Sequence, residues 1–209
     1  MNITVFGATG TIGRLFVEQA LAAGHDVTAV TRDASRMSQR HDRLRVVQGD
    51  PTDPEACLPA VRDADAVIVT LGAGRRGEVR EAGTRAVVAA MRQAGVRRLV
   101  CQSTIGVGSS KANLDLWWRY VMFGALLRPA YADHVRQEAI VVESGLDWTI
   151  VRPSAFTDAP AESLGELRHD FDGAARGLRL KVARADVAAF LLAQAEDPAY
   201  LHRAVSLSA

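Results

Sequence analysis

The chain is poor in cysteine. Cys57 and Cys101 are its two thiols, far apart and outside any C-x-x-C spacing, so neither a disulfide framework nor a thiolate metal knuckle is expected. The five histidines make no H-E-x-x-H or paired-ligand pattern, and no metal is expected. An excess of charge of one sign is also missing. A formal net charge of +1 over 209 residues lacks the basic field on which non-specific nucleic-acid binding depends, so nucleic acid is not an expected partner. Long apolar runs are absent as well: residues 114–127 come nearest, but Asp115 and Arg119 interrupt them, and a membrane span needs roughly 20 apolar residues. A strand pattern begins at Asn2 with no basic, cleavable apolar segment before it, so nothing directs secretion and a cytoplasmic protein is expected. No internal repeat, low-complexity tract or Gly/Ser linker divides the sequence.

What is present is a regular alternation. Short apolar runs rich in β-branched residues recur at 3–6, 27–30, 44–47, 66–70, 98–102 and 148–151, as suits strands buried on both faces. Helical spacing fills the intervals at 12–23, 33–40, 54–62, 79–94 and 133–144. This order predicts an α/β protein, a Rossmann-type doubly wound parallel sheet, as a single domain over 1–209. Gly24, Gly95 and Gly145 stand just past three of the helices, where a left-handed residue stops a helix well. Residues 106–130 depart from the pattern. They insert Trp117, Trp118, Tyr120, Met122 and Phe123 after the fifth strand, and are read as an added helix that serves as a lid over a planar ligand or as an interface.

The first strand runs into Gly7-Ala8-Thr9-Gly10-Thr11-Ile12-Gly13 and then a helix. Gly7 permits the tight turn, Gly10 lets backbone approach a pyrophosphate, and Gly13 lets helix and strand pack closely. The free amides at the helix start then face the phosphates. A nicotinamide dinucleotide is therefore expected here. After the second strand stand Arg32, Asp33 and Arg36. Arg32, with Arg36 one turn on, suits a ribose 2′-phosphate, whereas Asp33 either takes the acidic role that favours NAD or caps the next helix. The expectation is NADP(H) preferred over NAD(H).

With Gly-Ala-Thr-Gly-Thr-Ile-Gly at the start, Thr31-Arg32-Asp33 after the second strand and Gly49-Asp50 after the third, the chain resembles the atypical short-chain dehydrogenase/reductase superfamily. Ser144-Gly145-Leu146-Asp147-Trp148-Thr149-Ile150-Val151-Arg152-Pro153, followed by Arg184-Ala185-Asp186-Val187-Ala188, is similar to its NmrA-like, NAD(P)H-binding branch, which includes biliverdin reductase B-like and flavin reductase-like proteins. The resemblance implies that Asp50 contacts the adenine and that Leu71 and Gly72 line the dinucleotide. It also implies that Ser103 and Thr104 sit beside the nicotinamide, with Pro153 and Ser154 bordering the same end.

Ordinary members of the superfamily use a Tyr-x-x-x-Lys pair as proton donor. This chain has none, since Lys111 and Lys181 are its only lysines and neither stands four residues beyond a tyrosine. Where the pair would fall, Tyr131-Ala132-Asp133-His134-Val135-Arg136 is similar to the Asp-His-x-Arg stretch of the biliverdin reductase B-like branch. Tyr131 and His134 therefore join Ser103 as candidate catalytic residues, with His134 expected to titrate near neutrality or else to be structural. The expected activity is NADPH-dependent reduction of a flavin, quinone or other small planar acceptor, for which the cofactors supply most of the chemistry. A non-catalytic NADP(H) sensor of NmrA type is the alternative, and a nucleotide-sugar epimerase ranks lower. The chain is expected to act as a monomer or homodimer.

Overall fold

A computed structural model describes every residue except 73, 75–76, 160–166, 172–174 and 176–177. The strands are β1 (Asn2–Phe6), β2 (Asp26–Thr31), β3 (Leu44–Gln48), β4 (Ala66–Val69), β5 (Arg98–Gln102), β6 (Asp147–Pro153), β7 (Ala155–Thr157), β8 (Arg168–His169), β9 (Lys181–Ala183) and β10 (Arg203–Ser208). The helices are α1 (Thr11–Ala22), α2 (Pro54–Val61), α3 (Val79–Ala94), α4 (Arg128–Val142) and α5 (Arg184–Glu196). Eight strands form one sheet in the order β3-β2-β1-β4-β5-β6-β10-β8. Every pairing in it is parallel except that of β8 with β10. The chain starts at β1, winds outward to β3, then returns past β1 to β4, so the order reverses between β1 and β4. In an open parallel sheet that reversal splays the connections apart and leaves a crevice at the carboxyl ends.

The doubly wound reading holds at the level of side chains. Along β4, Ala66 and Ile68 pack with Phe16 and Val17 of α1 and Leu191 of α5, whereas Val67 and Val69 pack with Val61 of α2 and Val87 and Met91 of α3. This is the period of two expected of a strand covered on both faces. Edge strand β3 keeps residues only partly buried. Gly24, Gly95 and Gly145 adopt positive φ just beyond α1, α3 and α4.

Several element boundaries differ from expectation. Residues 33–40 do not form a helix; a 3-10 turn at Ala34–Arg36 is capped by Asp33 and ends at Met37, which returns to extended geometry. The physical reason is tertiary: Met37 is 1% exposed, and its place in the core with α1 outweighs a weak local helical preference. Helix α4 begins at Arg128 rather than 133, with Pro129 in its first turn, where the missing amide costs nothing. The late strands β7 to β9 gave no recognised run because they are only two or three residues long, and β10, six residues, was missed as well. The insertion contains a 3-10 segment, Gly108–Asn113, and a π-helix, Trp117–Leu126. Among the described residues no helix is long and apolar enough to cross a membrane.

Candidate functional site

The turn after β1 is built around missing Cβ atoms. Gly7 has φ +95°, and a Cβ there would lie 2.7 Å from the Thr70 carbonyl oxygen; one on Gly13 would lie 2.2 Å from the Gly7 carbonyl oxygen. Backbone thus occupies the space that side chains would take. The Gly10 amide donates to the Gly7 carbonyl at 2.9 Å and closes the turn. Gly10 also precedes α1 as its N-cap without any side-chain cap. The amides of Thr11, Ile12 and Gly13 come before the first intrahelical acceptor, so the donors and the partial positive end of α1 are open to an anion. Ile12 and Gly13 are themselves buried and hold the helix to the sheet.

Beside this turn a cleft of ≈ 130 Å³ brings together Gly7, Thr9, Gly10, Arg32, Arg36, Leu71 and Gly72. The Asp33 carboxylate accepts from the Ser35 amide at 2.9 Å and the Ser35 hydroxyl at 2.6 Å, and these bonds hold it below the usual carboxylate range. Its oxygen is engaged in capping, whereas the arginines on either side face the cleft. Asp50 lies just off the wall, which its neighbour Pro51 completes. Its carboxylate accepts from the Thr52 amide at 2.9 Å and the Thr52 hydroxyl at 2.8 Å. Those bonds, with a smaller contribution from Arg32, depress its pKa.

A second cavity of ≈ 340 Å³ gathers Ser103, Thr104 and His134 with Arg80, Trp118 and Phe123. The Ser103 hydroxyl and the His134 Nδ1 are buried there without a hydrogen-bond partner among the described residues, as befits groups whose partner arrives with a ligand. The expectation that His134 titrates near neutrality is corrected. Burial, reinforced by the Arg80 charge, pushes its pKa down to about 3, so the imidazole is neutral at physiological pH. Tyr131 is not brought to this cavity. Its hydroxyl donates to the Gly106 carbonyl at 2.9 Å, and it lines a neighbouring hollow with Lys111 and Arg119, behind Phe123. Burial, together with Glu138, raises its pKa further. Pro153 is buried at the end of β6, where its carbonyl accepts from the Ile105 amide at 3.0 Å and fixes the loop after β5; its neighbour Ser154 reaches the cavity wall.

The insertion divides by face. Trp118 and Phe123 wall the cavity with ring centroids 5.8 Å apart, while Trp117 and Tyr120 are 61% and 65% exposed. Among the described residues no group of three or more His, Cys, Asp or Glu is placed to hold a metal. Cys57 and Cys101 are buried, and desolvation drives the Cys57 thiol up to about 12 and Cys101 higher still; neither is a nucleophile. A larger hollow of ≈ 650 Å³ opens at the amino ends of β1 to β3, around Asn2, Asp26 and Leu44, the opposite end of the sheet from the glycine turn.

Three features of this region escaped sequence reasoning. Arg80, in the first turn of α3, has a side chain only 12% exposed. Asp133, on α4, accepts from the Arg80 and Glu81 amides at 3.1 and 3.0 Å and so caps α3 from another helix. Glu138 and Arg152 form a buried two-bond pair at 2.9 and 2.6 Å. A carboxylate on the inward face of α4 was the available signal; its partner lies on a different element.

A family model described as NAD(P)H-binding matches residues 7–198. The chain is 41% identical over 117 residues to a 3-diazoavenalumate denitrifying reductase of a Streptomyces species, covering 49% of this chain and 38% of that protein. It is 32% identical over 154 residues to a (4-alkanoyl-5-oxo-2,5-dihydrofuran-3-yl)methyl phosphate reductase of Streptomyces griseus, covering 74% of this chain and 48% of that protein. The chain thus spans half or less of the length of these two reductases. Among solved structures it is similar to ChuY, an anaerobillin reductase of Escherichia coli O157:H7, with TM-score 0.82 and 28% identity over 100% of this chain and 97% of the other.

Proposed function

Because the chain belongs to the NAD(P)H-binding family whose model spans residues 7–198, we propose that it is an NADPH-dependent oxidoreductase that reduces a flavin, quinone or other planar acceptor. The observation that carries this reading is the adjacency of two hollows. A backbone-walled cleft with Arg32 and Arg36 at one end adjoins an aromatic cavity in which Ser103 and His134 have unmet polar atoms. The glycine turn fits a dinucleotide, since a Cβ at Gly7 or Gly13 would fill the space the backbone needs. When bound, the cofactor supplies the hydride. The chain's residues hold and orient. The α1 amides and the glycine turn take the diphosphate, Arg32 and Arg36 take the 2′-phosphate, and Leu71 and Gly72 border the dinucleotide. At the far end Thr104 adjoins the nicotinamide.

Ser103 directs a hydroxyl hydrogen bond at the acceptor. His134, neutral, offers or accepts one hydrogen bond without carrying a proton to the reaction. Tyr131 buttresses the loop at Gly106 rather than meeting the acceptor. Trp118 and Phe123 give a flat apolar body something to lie against and keep water away from it. The similarity to reductases of small unsaturated compounds supports this assignment.

The neutrality of His134 favours one second reading, an NADP(H) sensor without turnover, because the cavity then holds no imidazolium to donate a proton. A panel of flavins, quinones and dicarbonyls with NADPH separates the two. Steady oxidation of NADPH with at least one planar acceptor is expected. Calorimetric binding of NADPH with no turnover on any acceptor establishes the sensor instead.

A further inference from the structure

Arg80 lies between the two hollows. Its Nη2 would sit 3.3 Å from a Cβ on Gly72, on the dinucleotide side, and its side chain also forms part of the acceptor cavity. The side chain is 12% exposed, and its Nε and Nη1 are buried without a hydrogen-bond partner among the described residues. The nearest anion does not meet that need. Asp133 pairs with it only at a distance, 3.6 Å from Nη1, beyond hydrogen-bond reach, while its two oxygens receive the Arg80 and Glu81 amides. Asp133 therefore makes the buried charge tolerable without occupying its donors.

The rest of the cavity is one-sided in charge. Arg184 is a second cation on its wall, and among the described residues no aspartate or glutamate lines it. Arg184 is anchored by Asp158 and lies over the Phe156 ring at 5.5 Å, so its position is set. Leu114, Trp118, Phe123 and Leu127 give the same cavity its apolar lining. A guanidinium presents N–H donors in a planar fork that matches a carboxylate in two bonds.

We propose that the acceptor bears a carboxylate on its planar apolar body and that Arg80 receives it inside this cavity. The inference rests on the reductase reading of the same site and narrows its substrate class. Ser103 and His134 then contact the remainder of the acceptor, and the carboxylate fixes which edge of the plane faces the dinucleotide cleft.

The test is an equilibrium titration with NADP⁺ saturating, so that no turnover is involved. Naphthalene-2-carboxylate and its uncharged analogue naphthalene-2-carboxamide serve as probes, read by quenching of tryptophan fluorescence, since Trp118 lines the cavity. The carboxylate is expected to bind about 10- to 100-fold more tightly than the amide, the factor that a charged hydrogen-bonded contact provides. Arg80→Met is expected to remove that preference and Arg80→Lys to retain part of it. NADP⁺ affinity, unchanged in both variants, reports that they are folded. Equal binding of acid and amide to the wild type overturns the proposal. So does a loss of NADP⁺ affinity in Arg80→Met with the acid preference intact, which would assign Arg80 to the cofactor. A wild type that prefers the acid but oxidises no NADPH with any acceptor ends the reductase reading while leaving the anion-selective cavity in place.

Discussion

At the scale of single residues, two side chains carry quantitative expectations. Arg32 lines the cleft beside the glycine turn while the adjacent Asp33 is engaged with Ser35, so on the proposed reading the positive group is the one available to a ribose substituent. A hydrogen bond to a charged group contributes about 1.5–3 kcal/mol. Arg32→Ala is therefore expected to weaken NADPH binding by about 10- to 100-fold while leaving NADH nearly unchanged. Calorimetry with both cofactors checks it, and equal losses for the two would remove Arg32 from cofactor choice. His134 carries a pH expectation. Its folded-state pKa, about 3, lies below the ordinary 6.5, so between these values the unfolded chain takes up a proton that the native one does not. Stability therefore falls as pH drops below 6.5, by up to about 1.4 kcal/mol per unit from this group. Urea unfolding at pH 7 and pH 5 should show about 2 kcal/mol less acid destabilisation in His134→Gln than in the wild type. Identical pH dependence in the two proteins would count against a buried neutral imidazole.

At the scale of elements, the unit that matters most is the strand, turn and helix formed by β1 and α1. Its three glycines differ in what they protect. Gly7 needs its positive φ and its proximity to Thr70, whereas Gly13 needs the absence of a Cβ that would stand 2.2 Å from the Gly7 carbonyl oxygen. That oxygen accepts the Gly10 amide, so displacing it opens the turn that presents the α1 amides. Gly13→Ala is expected to reduce NADPH affinity by at least about tenfold, equivalent to about 1.4 kcal/mol, and equilibrium dialysis measures it. Unaltered affinity would mean that the turn yields without moving the amides. Helix α3 shows a different dependence. Its own N-cap residue, Glu78, gives no side-chain hydrogen bond, and Asp133 of α4 supplies the missing acceptors. The two helices therefore begin as one unit around Arg80.

At the scale of the whole molecule, the buried pair Glu138–Arg152 joins α4 to β6, and Arg152 also donates to the Ser109 hydroxyl at 3.1 Å, tying in the insertion. Each member is 8% exposed. Removing one partner leaves an uncompensated buried charge, so Glu138→Leu is expected to cost about 3–5 kcal/mol, whereas pairing it with Arg152→Met should recover most of the loss. Thermal melts of the single and double variants decide this. If both melt alike, the pair does not act as a unit.

The parallel sheet, its glycine turn and the boundaries of α3 and β5 were legible in the sequence, because each is written in local periodicity and in residues adjacent along the chain. Gly7, Gly10 and Arg32, which line the cleft beside that turn, were singled out from local pattern, whereas Leu71 and Gly72 were implied only by the family resemblance. The absent helix over 33–40, the short late strands and the neutral state of His134 were not legible. Met37 is drawn into a core made by distant segments, and His134 owes its pKa to burial and to Arg80, 54 positions away in sequence. Sequence alone thus determined the first six strands, their winding and the place of the glycine turn, since hydrogen-bonded periodicity is a property of neighbours. Only the tertiary structure decided that Ser103, His134 and Arg80 share one cavity while Tyr131 stands outside it, because desolvation and unmet hydrogen bonds arise where separate elements close on one another.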